Sequence, residues 1–100
     1  MSLTEKVFVV AEVRAKDGFI EEVKRECSAL VEPSRAEKGC NTYDLHQSLH
    51  DAALFVFVES WENMKDLENH LESPHSTAFD ENTAGMLTGP EKITFLKRII

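Results

Sequence analysis

Apolar and polar positions alternate along this chain in two rhythms. Between Lys6 and Ala15 (KVFVVAEVRA) β-branched residues dominate, and the run stops at Lys16-Asp17-Gly18, the pattern of a strand closed by a turn. From Phe19 to Ala36 the rhythm changes. Ile20, Val23, Cys27, Leu30 and Val31 fall on one stripe of a helix. Pro33 should kink or end that helix, because proline removes an amide and crowds the preceding turn. A short continuation over 34–38 would be closed by Gly39. Cys40 to Leu49 (CNTYDLHQSL) reads as a second strand, with Asn41, Tyr43, Leu45 and Gln47 on one face and Thr42, Asp44 and His46 on the other. His50-Asp51-Ala52-Ala53 is a short turn, which favours an antiparallel hairpin into a third strand from Leu54 to Trp61. Asn63 is a natural N-cap for a helix ending near Glu72, with Met64, Leu67 and Leu71 as its buried stripe. Ser73 caps a further helix with Pro74 at its first position, reaching about Leu87. After the turn Thr88-Gly89-Pro90, Glu91 to Ile99 forms the last strand.

The resulting order, β-α-β-β-α(α)-β, is that of an α+β, ferredoxin-like domain: a four-stranded antiparallel sheet with helices on one face. The strands carry a second message. In the third, Leu54, Val56 and Val58 lie on one face and Phe55, Phe57 and Trp61 on the other. In the first, Val7, Val9 and Val13 oppose Phe8 and Val10. A sheet with one wet face alternates apolar and polar positions. Helices cover only one side, so the other should be covered by a second copy of the chain, giving a homodimer through the sheet face.

Length and charge narrow the classes. One hundred residues make a single domain over 1–100. A net charge of −7 with scattered Lys and Arg argues against nucleic acid as a partner, since phosphate neutralisation needs a basic face. No apolar run approaches the ~18 residues of a membrane span, and MSLTEK lacks the apolar segment of a signal peptide, so a cytoplasmic protein is expected. Cys27 and Cys40 are too few for a disulfide framework and too far apart for a C-x-x-C site, and read as buried thiols.

The chemistry-bearing residues gather in the second half of the chain. His70 lies about a quarter-turn from the Met64, Leu67, Leu71 stripe, at the edge of the buried face, where it is either a partly exposed histidine or one reaching a crevice between helix and sheet. His75 heads an inward row with Phe79, Asn82 and Met86 behind it. The electropositive helix N-terminus disfavours imidazolium there, leaving a neutral ring able to exchange a proton, or one that merely packs the Ser73-Pro74 corner. A spacing of five across a helix boundary is not that of a helical zinc pair, and His46 and His50 sit elsewhere on the hairpin, so no metal site is expected. Tyr43 and Trp61 flank the same hairpin and either line a pocket for a flat ligand or pack in the core. Asn41 is a candidate oxyanion donor. Glu59 and Glu12 are acids on otherwise apolar strands, each able to hold a histidine or a partner-chain cation. Neither a dinucleotide fingerprint, a P-loop nor a nucleophile elbow is present. No cofactor is expected, and any catalysis would run on bound substrate and ordinary side chains.

These residues resemble the antibiotic biosynthesis monooxygenase family. The resemblance spans VVAEVRAKDG, EPSRAEKGCNTYDLHQS, FVFVESWENMKDLENHLESPH and the closing strand. Its most specific piece is E-S-W-x-x-x-x-x-L-x-x-H-x-x-S-P-H, carried by Glu59, Ser60, Trp61, Leu67, His70, Ser73, Pro74 and His75. It implies a dimeric α+β barrel of ferredoxin-like protomers with a pocket between sheet and helices. Members include cofactor-independent monooxygenases of quinols and polycyclic phenols, haem-degrading enzymes and an isomerase of a phosphorylated signalling sugar. The haem-degrading members use a first-strand asparagine and a second-helix tryptophan. This chain has Glu12-Val13 and His70 in those regions, so haem degradation is not expected. Thr88-Gly89-Pro90 and the histidine pair also resemble the isomerase branch, for which the N-terminus of the Ser73-capped helix could bind phosphate. The expected activity is therefore oxidation of a quinol-like or phenolic small molecule with dioxygen. His70 or His75 would be the base, and Tyr43, Trp61, Phe79, Asn41 and Met86 would line the pocket. The alternatives are an isomerase of a small carbonyl compound and a non-catalytic dimeric binding protein.

Overall fold

The computed structural model describes residues 5–100; Met1 to Thr4, part of the stretch read for a targeting signal, lie outside them. The elements are β1 (Val7–Arg14), α1 (Ile20–Ala29), α2 (Val31–Arg35), β2 (Cys40–Gln47), β3 (Leu54–Trp61), α3 (Met64–Leu71), α4 (Pro74–Asn82) and β4 (Lys92–Leu96). The sheet order is β2-β3-β1-β4, and every adjacent pair is antiparallel. Each helical connection therefore passes over one strand: α1 and α2 carry the chain from β1 past β3 to β2, and α3 and α4 carry it from β3 past β1 to β4. This is the ferredoxin-like arrangement. No helix among the described residues is long and apolar enough to cross a membrane.

One face of the sheet carries Val7, Val9, Ala11 and Val13 of β1, Phe55, Phe57 and Trp61 of β3, and Tyr43 of β2, all buried. Val23, Cys27 and Leu30 from α1 and its C-terminus, Leu67 from α3 and Phe79 from α4 close over them. Fully burying a side chain of the size of Phe55 or Phe57 contributes roughly 1.5–3 kcal/mol, so this layer is the main source of stability.

Several boundaries differ from expectation, each for a local reason. The long first helix is broken at Leu30. Pro33 cannot donate to the carbonyl of Ala29 and its ring crowds that turn, so the break falls one turn ahead of the proline itself. β2 stops at Gln47, and Leu49 stands in the turn, 96% exposed. Asn41 does not share a face with Tyr43: a bulge between Cys40 and Thr42 takes it out of register, so Cys40 pairs Trp61 and Thr42 pairs Ser60. α4 ends at Asn82 rather than near Leu87. The Thr83 hydroxyl bonds back to the Phe79 carbonyl, Gly85 turns the chain at φ +81°, and Leu87 forms a lone bridge to Ala15. β4 covers only Lys92–Leu96, pairing with β1 from Glu12 to Phe8, one residue short of the start of β1 at Val7.

Candidate active site

The site is built where α2, α3 and α4 meet the β2–β3 face of the sheet. α3 begins at Asn63, whose side-chain oxygen accepts the Asp66 N–H at 2.9 Å. From that start the helix turns Asp66, Leu67 and His70 inward. Leu71, expected in the buried stripe, is instead 43% exposed, and His70, expected at its edge, is only 4% exposed. The helix is rotated toward His70 because the ring finds partners there that a leucine could not use. It lies 4.6 Å from the Trp61 ring and 5.4 Å from Tyr43, centroid to centroid. The Ser76 hydroxyl donates to the His70 carbonyl at 2.8 Å, tying α4 to the end of α3.

The principal partner is Glu37, which no periodicity singles out because it lies in the irregular joint between α2 and β2. Arg35 holds that joint against β2 by donating from Nε to the Tyr43 carbonyl at 3.0 Å and from its guanidinium to Asp44, also at 3.0 Å. Gly39 follows at φ +82°, with the Asp66 carboxylate occupying the space a Cβ would need. Between these anchors Glu37 turns inward. Its Oε2 is 2.6 Å from His70 Nδ1 and 2.9 Å from His75 Nε2, so one carboxylate oxygen joins the two histidines. His75 is the second residue of α4, behind Pro74 and the Ser73 cap, and is half-buried.

A carboxylate only accepts, so the bond to Glu37 places the His70 proton on Nδ1 and leaves the Nε2 lone pair pointing the other way. There, 4.0 Å from Nε2, stands Oε1 of Glu59, itself 5% exposed and held by the Trp61 indole N–H at 2.9 Å. Burial dominates the titration of all three groups. It pushes the Glu59 carboxyl up to about 7, although the indole N–H partly offsets this and Glu91 and Glu37 add to it. It pushes His70 down from its ordinary value, against the raising influence of Glu37. It raises the Tyr43 phenol well above its usual range, so that group keeps its proton.

Glu37, His70 and His75 also form the donor set of a two-histidine, one-carboxylate metal site, with one ligating atom from each within 4.8 Å of the others. The geometry within the cluster is that of hydrogen bonds. Two ligands of one ion at about 2.0–2.2 Å in tetrahedral geometry stand about 3.3–3.6 Å apart, whereas Glu37 approaches the imidazoles to 2.6 and 2.9 Å.

His70 and Glu59 face a cavity of about 60 Å³ between sheet and helices, walled by Tyr43, Leu67, Phe79 and Ile93, with Asp80 and Glu91 toward its rim. The structure thus brings His70, Tyr43 and Phe79 together, with Trp61 packed behind and His75 one bond further out. It does not bring in Asn41 or Met86. Asn41 lines a separate hollow of about 330 Å³ beside Lys6, Phe8, Ser60 and Arg98. Met86 lies beyond α4, its carbonyl accepting the Lys16 N–H at 2.8 Å and its side chain packed against the core. Glu12 is remote, near Lys92 at the far end of β1. The two cysteines are free: Cys27 is buried, Cys40 half-buried, and burial pushes their thiols up to about 12 and about 11.

Comparison with known proteins agrees with this architecture. The family model for antibiotic biosynthesis monooxygenase matches residues 6–82. The chain belongs to that family. Among curated relatives, it is 30% identical over 94 residues to a protein of Mycobacterium tuberculosis named "Putative monooxygenase Rv0793", covering 94% of this chain and 92% of that one. It is 30% identical over 88 residues to "Probable quinol monooxygenase YgiN" of Escherichia coli K12, covering 77% and 84%. It is 28% identical over 93 residues to an uncharacterized protein of Synechocystis, of which it spans 63% of the length while 93% of this chain is covered. The crystal structure of PA3566 from Pseudomonas aeruginosa superimposes over the full length of both chains, with a TM-score of 0.91 at 37% identity.

Proposed function

We propose that this family member is a cofactor-independent monooxygenase that oxidises a quinol-like or phenolic small molecule with dioxygen. One observation carries the reading: a buried histidine whose Nδ1 is held by a carboxylate, leaving Nε2 free, and which lines a cavity between sheet and helices. That is the arrangement of a positioned general base. Nε2 takes the proton of a substrate hydroxyl, and the resulting electron-rich anion reduces dioxygen directly. The surrounding Tyr43, Leu67, Phe79 and Ile93 keep water from the intermediate. His75 acts one step back, fixing Glu37 rather than meeting substrate.

The cavity's charge supports an uncharged substrate. Glu59, Asp80 and Glu91 line it, and among the described residues no lysine or arginine does. That balance opposes the phosphorylated compound considered for an isomerase. At about 60 Å³ the cavity is well below the roughly 300–1,000 Å³ of small-molecule sites, so an aromatic ring enters only as the rim opens. The exposed Leu71 and half-buried Ile93 are the rim side chains with room to move. We also propose that the second face of the sheet is covered by another copy of the chain, supported by Phe8, Val10, Val56, Val58 and Leu96 lying on one side of it.

Dioxygen uptake with menadiol tests the activity. The wild type should consume oxygen catalytically. His70→Ala should lose about 10²–10⁴-fold in rate, the contribution typical of a positioned base. His75→Ala should lose less. Equal uptake by wild type and the double variant would remove the assignment, and turnover of a carbonyl compound without oxygen would favour an isomerase.

A further inference from the structure

The hydrogen-bonded histidine accounts for removal of a proton, but not for a second titratable group sealed into the same cavity. Glu59 is almost wholly buried on β3, where Val9 pairs opposite it on one side and Tyr43 on the other. A glutamate in such a position is costly unless it has a partner or holds a proton. Its structural need is met by one bond: Oε1 accepts the Trp61 indole N–H at 2.9 Å. Indole donates only, so this bond leaves the other carboxyl oxygen free. A glutamine would satisfy the indole equally well without bringing a buried acid. The groups facing Glu59 are His70 from α3, Tyr43 from β2, and Asp80 and Glu91 across the cavity, with Glu37 and His75 behind His70. None of the cavity-lining groups is a lysine or arginine that would keep it as a permanent anion.

We propose that Glu59 is the acid partner of His70, the group that gives a proton to the oxygen species formed from dioxygen, and that the two residues recycle one proton across the cavity. This rests on the oxidative reading above and supplies its second half. His70 Nε2 takes the hydroxyl proton of the substrate: the substrate O–H bond breaks and an N–H bond forms. The substrate anion reduces dioxygen and a carbon–oxygen bond forms, giving a peroxide anion. Glu59 donates its carboxyl proton to that anion, and the hydroperoxide loses water as the O–O and ring C–H bonds break. For a quinol the balance is quinol plus dioxygen to hydroxyquinone plus water, with all four electrons coming from the substrate. The proton on His70 Nε2 then crosses the 4.0 Å gap to Glu59, through a torsion of the glutamate or a single bridging water, and both groups return to their starting forms. Throughout, His70 keeps its Nδ1 proton on Glu37, so the ring never needs to turn over in its buried setting.

The test compares wild type, Glu59→Gln and Glu59→Asp. Glutamine keeps the acceptor for Trp61 and removes only the acid. With menadiol, Glu59→Gln should lower formation of hydroxylated product by about 10²-fold or more and release hydrogen peroxide in its place. Glu59→Asp should restore part of the coupling. A purely structural role would lower the rate without changing the ratio of peroxide to product. Wild-type rate and coupling in Glu59→Gln would overturn the proposal. A second measurement decides it even if menadiol is no substrate, an outcome that would count against the oxidative reading alone. The imidazole resonances of His70, followed by NMR from pH 5 to 9, should show in the wild type an inflection near pH 7 as the Glu59 carboxyl 4.0 Å away loses its proton, and that inflection should be absent in Glu59→Gln. Identical titration curves in the two proteins would overturn the pairing.

Discussion

Burial acts on Glu59 and His70 in opposite senses, and the stability of the fold should record both. A free glutamate carboxyl titrates near 4.5, and in the folded chain Glu59 is pushed up to about 7. The folded state therefore holds this proton more tightly than the unfolded state. Its contribution is fully present below pH 4.5 and is lost as pH rises through 7, by about 3 kcal/mol in total. His70 is lowered from 6.5, so its contribution is present above that value and is lost as pH falls below it. Urea melts at pH 5 and pH 8.5 should show Glu59→Gln gaining stability relative to wild type only at the higher pH. An equal difference at both would mean the carboxyl is not desolvated. At this scale the sequence was partly legible. His70 and His75 stood out because histidines beside a Ser-Pro helix start are rare chemistry on an ordinary amphipathic pattern. Glu37 did not, since an acid in an irregular joint looks like any solvated glutamate until the joint is folded.

The element that decides the site is the short α2–β2 joint. Arg35 pins one end through Tyr43 and Asp44, and Gly39 closes the other where Asp66 leaves no room for a Cβ. Gly39→Ala would impose both a positive φ on a residue with a side chain and a clash with a buried carboxylate. It should cost about 2 kcal/mol or more. The same change should loosen Glu37 from both histidines, lowering activity beyond the stability loss. Thermal melting together with kcat measured well below the melting point separates the two effects. Activity unchanged in the folded variant would show that Glu37 does not depend on the joint. The elements themselves were readable from apolar spacing, because strand and helix periods differ. Their ends were not. The stop of α4 depends on the Thr83 hydroxyl and Gly85, and β4 reaches only as far as its tertiary pairing with β1, from Glu12 to Phe8.

For the molecule as a whole, the outer sheet face sets the expectation. Val58 and Leu96 are 43% and 46% exposed, beside half-buried Phe8, Val10 and Val56. Sedimentation at micromolar concentration should give twice the 11.3 kDa of one chain, and Val58→Lys with Val10→Lys should shift the species to a monomer. A wild-type monomer would remove the second copy from that face.

The order of apolar positions alone determined the strands, the helices and their sequence along the chain, because burial demands a period that matches each backbone geometry. It also identified both faces of the sheet as apolar. What only the tertiary structure decided is the company each polar group keeps. The Leu54–Phe79 stretch supplies Glu59, Trp61, His70 and His75, but the carboxylate that unites the two histidines comes from 33 residues before His70. Contacts of that separation leave no local period in a sequence. They arise when two helical joints pack over one sheet.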